Sequence, residues 1–215
     1  MSIISYGILC EDKAHKNFIE HYLTQCHPGI FQENEQFGWR IKATNAKEVE
    51  DTLPDATRQG FIKYGLSVLF VGRDADATDH KRIDELKAKL TSLCQAHDKV
   101  ILMVPVQCIE HWLLYLQWHR DYPTSTKNEP LEHIMRNEAK LKIYGGKLKV
   151  EKQLEKANEL LVNVDIDWLL QRSESFKHFH NQVKYFLAHH QPKHKTSHGL
   201  TTVAGFIIYR SISSA

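Results

Sequence analysis

Residues 67–76 read SVLFVGRDAD, and no other stretch constrains the fold as tightly. Residues 66–72 are apolar almost throughout, the pattern of a parallel strand covered on both faces. The run then meets two aspartates, Asp74 and Asp76. Parallel strands cannot be joined by tight turns, so the rest of the chain must supply crossover helices between strands.

It does so in order. Residues 3–10 are a β-branched apolar run closed by Glu11 and Asp12. Ala14, Phe18, Ile19, Tyr22 and Leu23 then fall on one helical face, and His27-Pro28-Gly29 ends that helix. Residues 38–43, GWRIKA, predict a weaker strand. Asn45 is placed to cap a helix carrying Val49 and Leu53, which Pro54 is expected to break or restart. After the aspartates, Asp79 caps a helix with Ile83, Leu86, Leu90 and Leu93 on its face. Residues 100–106 form the next strand, ended by Pro105, and CIEHWLLYLQW reads as a short apolar helix. The expectation is an α/β fold with a mainly parallel four-stranded sheet and helices on both faces. Ligands on such sheets sit at the carboxyl ends of the strands.

Past Trp118 the character changes. Residues 119–129 predict a polar surface connection. Helical patterns follow over 131–142 and 150–161, with a turn at Tyr144-Gly145-Gly146-Lys147 between them. Asp165 or Asp167 opens another helix, and Phe176, Phe179, Val183 and Phe186 mark one more. The apolar run VAGFIIY near the end fits helix or strand equally. The chain therefore divides into an α/β core, residues 1–118, and a helical C-terminal region, residues 119–215, packed on it.

Composition narrows the class. No apolar run reaches the roughly 20 residues a membrane helix needs, and the start lacks the basic segment of a signal peptide, so a cytoplasmic protein is expected. Cys10, Cys26, Cys94 and Cys108 form no C-x-x-C pair, which argues against zinc ribbons and thioredoxin-like chemistry. The net charge of +2 is uneven: residues 175–215 contain no acid. Lys177, Lys184, Lys193, Lys195 and Arg210 there, with six histidines, offer a weak phosphate-binding surface or simply a solvated helix and tail. His189, His190, His194 and His198 have loose metal spacing, but without partnering cysteines or carboxylates they read as basic tail.

The acids carry the chemistry. Asp74 and Asp76, two apart in an extended segment, point the same way. Adjacent carboxylates repel, so one protonates or a cation sits between them. Mg²⁺, or Mn²⁺ in its place, takes such oxygen ligands and keeps several waters. Glu11, at the end of a neighbouring strand, would supply the opposite wall, and metals held there would polarise a phosphodiester and activate water. Glu110 follows the fourth strand, either as a functional acid or as a first-turn acid facing the helix dipole. Arg73 is placed to touch a phosphate or pair with a neighbouring aspartate. His111, next to Glu110, reads as a core or surface histidine ahead of a proton relay.

The segments GILCEDKAHKNFIEHYL, VLFVGRDADATDHKRIDELKAKL and VPVQCIEHWLLYL resemble the Toprim domain, and in particular the small RloB-type and OLD-like Toprim nucleases of bacterial anti-phage, abortive-infection systems. The resemblance covers residues 3–118 and, more loosely, the helical half. It implies a Rossmann-like Toprim core and a Mg²⁺-dependent nuclease. Glu11 would be a metal ligand or general acid/base, Asp74 and Asp76 metal ligands, and Glu110 a second-site acid. A lysine near a Tyr-Gly turn would stabilise the transition state; Lys147 fits best, with Lys149 close. Such proteins often read E-G-x-T-E at the first site. Here it is Glu11-Asp12-Lys13-Ala14-His15, an acid replacing the glycine and His15 the later acid. The resemblance also implies nucleic acid and a separate ATPase encoded nearby as partners, since this chain has no G-x-x-x-x-G-K-[ST] loop.

Two other classes fit the same residues. A non-catalytic Toprim-like scaffold would bind a partner ATPase or nucleic acid without turnover. A phosphotransfer or receiver-like domain would form an aspartyl-phosphate at Asp74 or Asp76.

Overall fold

The computed structural model describes residues 3–94, 97–125, 131–162 and 164–190. Its centre is a four-stranded, all-parallel sheet in the order β2-β1-β3-β4. The strands are β1 (Ile4–Cys10), β2 (Phe31–Glu33), β3 (Val68–Gly72) and β4 (Val100–Met103). Crossovers are made by α1 (Lys13–Cys26), by α2 (Glu35–Arg40) with α3 (Ala46–Ile62), and by α4 (His80–Ser92). Among the described residues five helices follow β4: α5 (Glu110–Asp121), α6 (Arg136–Tyr144), α7 (Val150–Leu161), α8 (Ile166–Arg172) and α9 (Glu174–His190).

The period-2 alternation of the strands divides the core in two. Tyr6, Ile8, Val68, Phe70, Ile101 and Met103 face one cluster, which α1 and α5–α9 complete. Leu9, Leu69, Val71, Val100 and Leu102 face the other, closed by α2, α3 and α4. Both faces of β3 are therefore dry, as its apolar run implied. On the first face Phe18, Trp112, Phe176 and Phe179 meet edge to face and tilted, with Phe18 and Trp112 ring centroids 5.0 Å apart. The helices of the C-terminal half thus share one cluster with the sheet. Gln182 of α9 also covers the edge strand: its amide donates to the Leu102 carbonyl at 2.8 Å and accepts from the Leu102 N–H at 3.0 Å.

Three expectations are corrected. The strand expected at 38–43 is absent; Gly38–Arg40 belongs to α2, and the second strand is Phe31–Glu33. Asn34 caps α2 by accepting from the Phe37 N–H, and Phe37 is wholly buried while Trp39 is 66% exposed. Inward Phe37 and outward Trp39 imitate a strand's alternation within a helix too short to show its own period. Pro54 does not break α3, which runs through it. Val49 and Leu53 before it and Ala56 and Gly60 after it bury on one continuous face, and that burial outweighs a cost of about 3 kcal/mol for interior proline. The polar connection expected from residue 119 begins later, because α5 continues to Asp121. The N-caps at Asn45, Asp79 and Asp165 are as expected. Residues 203–209 and the basic residues Lys193, Lys195 and Arg210 lie outside the described residues.

Candidate metal centre at the carboxyl edge of the sheet

Glu11 follows β1 directly, and its N–H still bonds the Gly72 carbonyl of β3 at 3.1 Å. Beyond β3, residues 73–76 run alongside the segment after β4: Arg73 N–H bonds Met103 O, Ala75 N–H bonds Pro105 O, and Asp76 N–H bonds Gln107 O. This extension carries Asp74 and Asp76 past the end of the sheet. Asp76 (φ 52°) and Gln107 (φ 57°) both take the left-handed conformation, a strained choice for non-glycine residues that clusters at functional sites. The Gln107 side chain donates to the Glu132 and Ile134 carbonyls and accepts from the Arg136 N–H. It therefore fixes the start of α6 over the aspartates.

His15 is the hub. In the first turn of α1 and wholly buried, it places Nδ1 2.8 Å from Asp12 Oδ1 and Nε2 3.0 Å from Asp74 Oδ1. Burial alone would lower the imidazole pKa, but the charges of Asp74 and Asp12 outweigh it and hold it well above the ordinary value. For Asp12, burial acts upward, and the hydrogen bond and charge of His15 more than reverse it, leaving the carboxyl below the usual range. Glu11 is pushed up to about 8, first by burial and then by the neighbouring Asp74 charge.

Asp74 is the most constrained acid. Its Oδ1 also accepts from the Ile109 N–H at 2.9 Å, just before α5. Its Oδ2 lies 3.2 Å from Arg136 Nη2, while Arg136 Nη1 pairs with Asp76. The cation expected between the two aspartates is thus supplied by the chain itself, as a guanidinium. Glu110 opens α5, buried, with Oε1 accepting from the Tyr144 hydroxyl at 3.2 Å and 3.5 Å from Lys140 Nζ. Its Oε2 is buried without a hydrogen-bond partner.

Arg136, Lys140 and Tyr144 stand at i, i+4 and i+8 on α6, one stripe of one helix. That stripe carries the basic and hydroxyl groups of the site. Lys147 lies exposed on the turn beyond it, and Lys149 caps α7 without a side-chain bond. Arg73 is turned inward, 3.2 Å from Glu50 and bonded to the Asp74 carbonyl. Lys177 and Lys184 are exposed on α9, Lys177 beside Glu174. His111 is a core histidine bonded to the Ile134 carbonyl.

Glu11, Asp12, Glu110, Lys140 and Tyr144 line one cleft of about 570 Å³. Among the described residues, Glu11, Asp12 and His15 each bring a donor atom within 4.8 Å of the others, a group that could hold a metal ion. Two carboxylates and an imidazole suit a divalent cation, and Glu110 lines the same cleft.

The sequence pointed to Glu11, Asp74 and Glu110 at the strand ends, and the structure brings them to one rim. Asp76 joins them through Arg136. Sequence reasoning took His15 only as a missing acid and passed over Arg136, Lys140 and Tyr144. Their signal was the four-residue repeat on α6. The fold and site define an α/β protein with an all-parallel sheet and a carboxylate–imidazole cluster beyond its strand ends. Searches against family models, curated proteins and solved structures find no match to this chain. No helix among the described residues is long and apolar enough to cross a membrane.

Proposed function

We propose that this chain is a Mg²⁺- or Mn²⁺-dependent nuclease that hydrolyses phosphodiester bonds in nucleic acid. One observation carries the reading: Glu11 after β1 and Glu110 after β4 line one cleft with Lys140 and Tyr144 of α6, while the buried Asp74 after β3 is tied to His15 and Arg136. Glu11, Asp12 and His15 would hold the ion, with Asp74 behind His15. When bound, a divalent ion supplies positive charge to phosphate oxygens and acidifies water. The protein's own groups do the rest. Lys140 and Tyr144 stand where they can donate to a phosphate oxygen, and the Glu110 carboxylate, which lines the same cleft, would accept a proton from attacking water. The resemblance to Toprim nucleases supports the same reading and extends it to an anti-phage effector working with a separate ATPase.

The clasp of Arg136 on Asp74 and Asp76 favours a second reading, a scaffold that binds nucleic acid or a partner without turnover. The test is cleavage of plasmid, single-stranded DNA and tRNA with Mg²⁺ or Mn²⁺, for wild type, Glu11→Gln, Asp74→Asn and Arg136→Gln. Metal-dependent cutting abolished by the first two substitutions is the expected result. Cutting that survives both overturns the assignment. Cutting that appears only in Arg136→Gln means that the clasp holds the native site inactive, and the absence of both cutting and metal binding leaves the scaffold.

A further inference from the structure

A second concavity of about 750 Å³ lies beside the metal cleft, on the outer side of α2. Gln36, Trp39, Arg40, Gln59, Lys63 and Tyr64 line it, together with Ile41, and among the described residues no acid does. Ile41 also lines the metal cleft, followed there by Lys42, so the two concavities meet along residues 41–42.

The chemistry of this patch is unusual for solvent. Trp39 is 66% exposed, whereas Trp112 is fully buried and Trp168 nearly so. Burying an indole is ordinarily favourable, and leaving its face in water forfeits that gain. The exposure is imposed by α2. Phe37 is locked in the core, pressed against Gly7 and Gly60 so closely that a Cβ on Gly7 would sit 2.6 Å from its ring. Residues two apart on a helix point to nearly opposite sides, so anchoring Phe37 inward sets Trp39 outward. Arg40 lies over the Trp39 ring at 4.5 Å, and Lys63 over Tyr64 at 5.1 Å. Tyr64 is held by an edge contact with Phe37 at 5.7 Å. Two aromatic rings, each paired with a cation, with amides between and no carboxylate, match what a single-stranded nucleic acid presents: stackable bases on an anionic backbone.

We infer that this patch is a binding site for single-stranded nucleic acid, with Trp39 and Tyr64 stacking bases and Arg40 and Lys63 meeting phosphates, and that it leads the strand along Lys42 into the metal cleft. Its purpose rests on the nuclease reading, but its binding does not. A duplex keeps its bases stacked on one another and offers the rings nothing, so the site selects unpaired strands.

The test uses the full chain carrying Glu11→Gln, in EDTA, titrated into fluorescein-labelled 20-nucleotide dT and U oligomers, with label anisotropy giving the Kd of every variant and tryptophan emission read where Trp39 is present. Quenching and a Kd that weakens with added salt are expected. Trp39→Ala weakens binding about five- to hundredfold, as loss of one stacked base does. Lys63→Glu weakens it and flattens the salt dependence. These side chains are exposed, and unchanged thermal unfolding of the variants confirms an intact fold. Absence of oligomer binding at low salt, equal affinity in Trp39→Ala, or equal affinity for duplex overturns the inference. Binding with no cleavage by either the wild type or Arg136→Gln would overturn the nuclease reading and leave this site standing. Cleavage unaffected by Trp39→Ala, with unchanged binding, would do the reverse.

Discussion

Glu11 shows at the scale of one residue how burial and charge are set against each other. Its carboxyl is buried beside Asp74, which raises its pKa from 4.5 to about 8. In the unfolded chain it ionises near its ordinary value. The stability tied to its protonation is therefore complete below about pH 4.5 and is lost as pH rises through about 8. Replacing it with an uncharged isostere should remove that loss. Glu11→Gln is expected to raise the unfolding free energy of the metal-free protein in urea at pH 8.5 by about 1–3 kcal/mol, with the difference vanishing towards pH 4.5. A Glu11→Gln variant no more stable than wild type at pH 8.5 would mean that the carboxylate is already compensated. The acids at this rim were legible because each follows an apolar run. His15 was not, because its role depends on Asp74, nearly sixty residues away in sequence and brought alongside only by β1 pairing with β3.

At the scale of elements, α6 and α9 each do one thing the sequence did not announce. The α6 stripe brings Arg136, Lys140 and Tyr144 to the acids, and an i, i+4, i+8 repeat of polar residues looks like any solvated helix face until the facing acids are known. α9 seals the sheet through Gln182, whose amide makes the two bonds to Leu102 that a further strand would make. Edge strands left open invite pairing with other chains. Gln182→Ala is expected to cost about 1–2 kcal/mol in urea unfolding and to increase light scattering at high protein concentration; an unchanged midpoint would show that water serves Leu102 equally well. By contrast, β1, β3 and β4 were readable at once, since continuous apolar runs have few other solutions. The small elements were not. A three-residue strand and a six-residue helix are shorter than the periods that would distinguish them, and GWRIKA was misread for that reason.

At the scale of the whole molecule, the aromatic cluster of Phe18, Tyr22, Trp112, Phe176 and Phe179 joins α1, α5 and α9 on one face of the sheet. Phe179 is wholly buried there. The described helices and the sheet should unfold as one cooperative unit. Far- and near-ultraviolet circular dichroism should give one coincident transition, and Phe179→Ala should lower its stability by about 3–5 kcal/mol; separate transitions would mean that the C-terminal helices melt independently. The clasp of Arg136 on Asp74 and Asp76, together with His15 between Asp12 and Asp74, bears on how the chain folds. A carboxylate cluster without counter-charges would make folding wait for metal. This one carries its own counter-charges, so the chain can reach its final shape with no metal present. On the proposed metal reading, loading would be an exchange of one cation for another, separate from folding.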